Sequence, residues 1–116
     1  MPRTDVTQML FAKIYPLLVD KAVRKGRSRE EVDRVTTWLT GYTAEDLIRL
    51  EQSDTSYGDF FRNAPAMEPN RTLITGKVCG VRVEEIEDPL MRDIRYLDKL
   101  VDELAKGKSM EQILRK

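Results

Sequence analysis

DPLMRDIRYLDKLVDELAKGKSMEQILRK, residues 88–116, is the stretch on which the fold turns. Asp88 followed by Pro89 is a helix opening: an N-cap acid, then a proline where no amide partner is needed. Leu90, Ile94, Leu97, Val101 and Leu104 then step by four and three, a heptad-like apolar seam that needs a long partner surface. That surface comes either from the rest of the chain or from a second copy. Asp102 and Lys106 make a well-oriented four-apart ion pair, and Gly107 closes the rod before a short last helix.

The corner at 107–109 recurs upstream. Gly26-Arg27-Ser28, Gly41-Tyr42-Thr43 and Gly107-Lys108-Ser109 all place glycine two residues before a hydroxyl. Glu31, Asp46 and Gln112 each follow their hydroxyl by three residues, which is the spacing of a capping box. These corners predict helices over about 29–40 and 44–51, with Val32, Val35 and Leu39 facing inward and Trp38 beside them. Phe11, Ile14, Tyr15, Leu18 and Ala22 predict one helix over about 4–25, kinked at Pro16. Tyr57, Phe60 and Phe61 share a face of a short helix that ends before Pro65. Residues 72–83 read two ways. Thr72, Gly76 and Gly80 make a small-residue helical stripe, whereas the β-branched content suits a hairpin turning at Gly76-Lys77. The expected fold is mainly α: a bundle of about five to six helices in one domain over 1–116, with a long C-terminal helix and a candidate β-hairpin at 72–83.

Composition narrows function chiefly by exclusion. The chain has 116 residues, with twenty Lys plus Arg against twenty Asp plus Glu, so it lacks the basic excess of a generic polyanion binder. It has no histidine, which excludes Ser-His-Asp and Cys-His catalysis and histidine-bearing zinc sites. The lone Cys79 allows no internal disulfide and reads as a small buried residue rather than a nucleophile. No signal-peptide pattern and no membrane-length apolar run is present, so a cytoplasmic protein is expected.

Several constellations carry weaker signals. Lys21, Arg24, Lys25, Arg27 and Arg29 form a basic block, the best nucleic-acid surface on offer. Helix-turn-helix spacing at Thr37, Gly41 and Leu47 is offset by Glu45, Asp46 and Glu51, which would face phosphate. Glu84, Glu85 and Asp88 are candidate Mg²⁺ or Ca²⁺ ligands, without calcium-loop spacing. Asn70, Arg71, Arg82 and Arg95 are candidates for holding an anion or other ligand. Gly107-Lys108-Ser109 lacks the upstream glycine of a phosphate loop, Asp102 standing there.

The segments VCGVRVEEIEDPLM (78–91), IRYLDKLVDELAKGK (94–108), WLTGY (38–42), and PNR (69–71) ahead of LITG (73–76) resemble domain-of-unknown-function family 2200. These are small, mostly bacterial proteins, and the resemblance spans nearly the whole chain. It implies a free-standing cytosolic protein and carries over no activity, cofactor or site residue. From the residues themselves, the leading expectation is a non-catalytic helical module that self-associates as a dimer, its seam and opposite charge blocks meeting between copies. Nucleic-acid binding through 21–29 is the alternative. A carboxylate-based or Mg²⁺-dependent enzyme, with Glu84, Asp88, Arg71 and Arg95 in one cleft, is the third. No cofactor is implied, and the small-molecule ligand is left open.

Overall fold

The capping chemistry places the helix ends. The computed structural model describes residues 6–78 and 80–115. Its six α-helices are α1 Phe11–Val23, α2 Arg29–Thr40, α3 Ala44–Glu51, α4 Tyr57–Arg62, α5 Pro89–Ala105 and α6 Met110–Ile113. Ser28 opens α2 by accepting from the Glu31 amide at 3.2 Å, and Glu31 accepts in turn from the Ser28 amide at 3.1 Å. Thr43 and Asp46 make the same reciprocal pair at α3, as do Ser109 and Gln112 at α6. Asp88 caps α5 by accepting from the Leu90 amide at 3.0 Å, with Pro89 in the first turn. Gly41 closes α2 at φ +80°, where a Cβ would lie 2.9 Å from the backbone nitrogen and oxygen of Ala66. Both backbone conformation and close approach require glycine there.

α5 is the central rod. It packs against α1, α2 and α4, and against α6 and the small hairpin. Ile94, Leu97, Val101 and Leu104 are at most 1% exposed, and Leu90 at the head of the seam is partly buried. The seam therefore closes within the chain. An aromatic cluster fills the space between α1 and α4, with Phe11 stacked on Phe60 at 4.3 Å and Tyr42 on Phe60 at 4.9 Å. Tyr15 is buried beside it and donates to Asp33 at 2.6 Å, with the Thr36 hydroxyl 3.1 Å from the same oxygen. Burial, then the Asp33 carboxylate, pushes its phenol well above the usual tyrosine range. The radius of gyration, 13.3 Å, matches the ~13 Å of a compact chain of this length.

Two expectations need correction. α1 begins at Phe11 rather than near Thr4, after a 3-10 turn at Val6–Gln8; Thr4 lies outside the described residues. Residues 9–11 instead pair with 55–57: Phe11 donates to Thr55 O at 2.9 Å and Tyr57 to Met9 O at 2.7 Å. A local helical rhythm has yielded to a long-range bridge. From Phe11, one helix runs through Pro16 as expected.

Of the two readings of residues 72–83 the hairpin is the one found, with its turn displaced, and no α-helix runs through the described residues there. Pro69–Leu73 is a 3-10 turn, and Lys77–Val78 (β1) pairs antiparallel with Val81–Arg82 (β2), Val78 opposite Val81. The connection falls at positions 79–80, not at Gly76-Lys77. Gly76 and Gly80, at φ +107° and +80°, take backbone conformations that an α-helix does not contain. Cys79 lies outside the described residues.

Candidate functional site

The basic block does not present a free cationic surface. Lys21 pairs with Asp102 at 3.5 Å, Arg24 with Asp20 at 2.7 Å and Arg27 with Glu31 at 2.5 Å. Arg29 bonds Glu51 and lies 3.7 Å from Asp33. Lys25 alone of the five has no ion pair among the described residues. Arg29 also bonds into α3, the helix that would have entered a DNA groove, and Arg49 of that helix bonds Asp46.

The acidic candidates are likewise occupied. Glu84 accepts from the Gly76 amide at 3.1 Å, fastening the 3-10 turn Val83–Glu85 to the base of the hairpin. Hydrogen bonds within its own segment and from Gly76 hold its carboxyl below the usual range. Asp88 caps α5. Glu85 is exposed, and no group of three or more acidic, cysteine or histidine residues is disposed to hold a metal among the described residues. The cleft expected to gather Glu84, Asp88, Arg71 and Arg95 does not form, because each takes a different partner. Arg95 pairs with Asp98 at 3.1 Å and Arg71 with Asp93 at 3.2 Å.

Of the four ligand candidates, Arg71 lines a concave pocket. Asn70 sits in the first turn of Pro69–Leu73, its amide donating to Glu68 at 3.3 Å. Arg82 stands exposed on β2. Arg71 is partly buried: its Nε donates to Asp93, and Nη1 donates to the Glu68 carbonyl at 2.8 Å. The pocket, about 140 Å³, lies between this 3-10 turn and the first half of α5, and its walls are Arg71, Thr72, Pro89, Arg92, Asp93 and Tyr96. Burial raises the Asp93 carboxyl above its usual range, against the opposing pull of Arg71 and Arg92.

Arg92 is the residue that sequence reasoning missed. Six described cations are not exposed, and Arg27, Arg71, Arg95, Lys99 and Arg115 each have a carboxylate within 3.9 Å. Arg92 has none. Its Nη2 donates to the Glu87 carbonyl at 3.3 Å, and its Nε is buried without a partner. The signal was present in the spacing: Pro89, Arg92, Asp93 and Tyr96 make one stripe on α5. It went unread because the apolar seam on the same helix dominated.

Wider clefts elsewhere are less focused. One of about 320 Å³ lies beside Tyr42, Leu50 and Pro65, but its charged pair, Asp46 and Arg49, is already joined. Another, beside Ile48, opens broadly between α2 and α3, where Arg29 and Glu51 bond each other. No helix among the described residues is long and apolar enough to cross a membrane.

The fold thus defines a small, mainly α protein with a short hairpin, and Arg71, Arg92 and Asp93 meet in the wall of a small pocket. The chain belongs to the family described as "Uncharacterized protein conserved in bacteria (DUF2200)", matched over residues 5–115. It is similar to a solved structure titled "Crystal structure of uncharacterized protein SP1917", at 55% identity and a TM-score of 0.90, over 94% of this chain and 89% of that one. A comparison with curated proteins gave no match.

Proposed function

We propose that the protein is a non-catalytic binding module that holds a small anion in the pocket between Arg71 and Arg92. The observation that supports this reading is the unpaired, half-buried guanidinium of Arg92. A cation drawn partly out of water without an ion-pair partner is costly, and it is normally paired; Asp93 in the same wall acts on Arg92 from beyond ion-pair distance and is bonded to Arg71. Here it shares a concave wall with Arg71, whose own carboxylate is a single one, Asp93. Two positive charges against one negative leave the pocket one short of neutral.

Self-association through the heptad seam has lost its motive, since Ile94, Leu97, Val101 and Leu104 are covered by the chain's own helices. Nucleic-acid binding through 21–29 is weakened in the same way, by internal carboxylates.

Amide-resolved NMR of the full chain, titrated with a panel of small anions, tests the proposal. Saturable shifts clustered at Thr72, Arg92 and Tyr96 are expected, and in Arg92→Gln they should need about ten-fold more anion. Shifts scattered over exposed lysines, or none, would count against it.

A further inference from the structure

We infer that the anion suited to this pocket is a small monocarboxylate rather than a phosphate; the inference rests on the anion-binding reading above. Charge is the first argument. Arg71 and Arg92 against Asp93 leave one positive charge, which a monocarboxylate neutralises. A phosphate near neutral pH carries more than one negative charge, and its excess would face the Asp93 carboxylate at close quarters.

The free donors are the second argument. Arg71 has its Nε and Nη1 engaged, leaving Nη2. Arg92 has one Nη2 proton engaged, which leaves Nη1 to face the pocket, its unpartnered Nε being buried. The Thr72 hydroxyl donates to the Pro69 carbonyl at 3.4 Å, so it has no second proton to give. Tyr96 is 4% exposed and its hydroxyl makes no hydrogen bond among the described residues. Two guanidinium nitrogens and one phenol match the two oxygens of a carboxylate.

Space and lining add a third. At about 140 Å³ the pocket holds four or five groups of water size, taking about 30 Å³ for each. That is a carboxylate with a one- or two-carbon body, and Pro89 and Tyr96 in the wall offer that body apolar contact. A phosphate would fit by volume alone, but it has no carbon to set against those rings.

Calorimetric and NMR titration of the full chain with propionate and with inorganic phosphate, at pH 7 and matched ionic strength, separates the outcomes. Propionate is expected to saturate the Thr72, Arg92 and Tyr96 amides and to bind about ten-fold tighter than phosphate. Arg92→Gln should weaken propionate about ten-fold with an unchanged thermal melt; Arg92→Lys, which keeps the charge but loses the planar fork, should fall between. Tyr96→Phe should weaken propionate by a smaller factor. Phosphate binding equal to or tighter than propionate would overturn the carboxylate assignment and leave the anion site standing. Failure of both anions to move those amides would overturn the site itself.

Discussion

Residues 21–29 and the pocket between Arg71 and Arg92 make opposite uses of positive charge. The first region concentrates five cations in nine positions, and four of them are paired with carboxylates of the same chain. The second brings together two arginines 21 positions apart, and one of them is left without a carboxylate. Density of charge along a sequence is thus a poor guide to free charge in a fold. What matters is which cations lack a partner once the helices have packed. Paired cations hold helices to each other; an unpaired one in a concavity is available to something else.

The sharpest contrast comes from the most deeply paired cation. Arg115 donates to both oxygens of Glu103, at 2.5 and 2.8 Å, and Glu103 is 1% exposed on α5. Arg115→Ala strands that carboxylate with only Lys108, 3.6 Å away, to compensate. A loss of about 2–3 kcal/mol in chemical denaturation is expected, somewhat less than the full cost of breaking a buried pair because Arg115 is partly exposed. A loss below about 0.5 kcal/mol would show that pairing does not hold the C-terminal segment.

Ser28→Ala should cost about 1 kcal/mol by removing the cap that starts α2 inside the basic block. Arg24→Ala, exposed and paired only with Asp20, should change stability by less than about 0.5 kcal/mol. Arg92→Gln should also leave stability within about 0.5 kcal/mol, because the charge it removes has no carboxylate to lose. A strongly destabilised Arg92→Gln would place that residue with the structural cations.

The capping acids set a pH dependence of definite sign. Asp46 is held below its usual range, chiefly by the Thr43 amide, then by Arg49 and the Thr43 hydroxyl. Its contribution is complete above the unfolded carboxylate value of about 4 and is lost as pH falls through the lower folded value. Asp93 and Asp98 run the other way: burial raises both, so their contribution is complete below about 4 and is lost as pH rises through the higher folded value. Asp46→Asn should flatten the acid limb of a stability-against-pH curve, and Asp98→Asn should flatten the loss on the neutral side. Parallel curves for wild type and Asp46→Asn would refute the capping role.

Much of the fold could be read before any coordinates, because its signals are local. Gly41-Tyr42-Thr43 with Asp46, and Asp88-Pro89, fix backbone geometry within four residues, so the helix ends fell where the spacing put them. The seam at Ile94, Leu97, Val101 and Leu104 was legible as a buried face, but not what covers it; α1, α2 and α4 reach it only after the chain turns back. The start of α1 was misplaced because the pairing of residues 9–11 with 55–57 crosses some 45 positions. The site was legible in one half only. Arg71 stood out beside Pro69, whereas Arg92 becomes notable only by lacking what other shielded cations have, and that is a property of three-dimensional neighbours.

The central claim, that the charge open to an anion is the shielded Arg92 and not the basic block, is tested most directly by one titration. Propionate is added to the wild-type chain, to Arg92→Gln, and to a chain with both Arg24 and Lys25 changed to Gln, while the Thr72 and Tyr96 amides are followed. Binding should survive the double change unaltered and weaken about ten-fold in Arg92→Gln. Loss in the double variant with retention in Arg92→Gln would contradict the account.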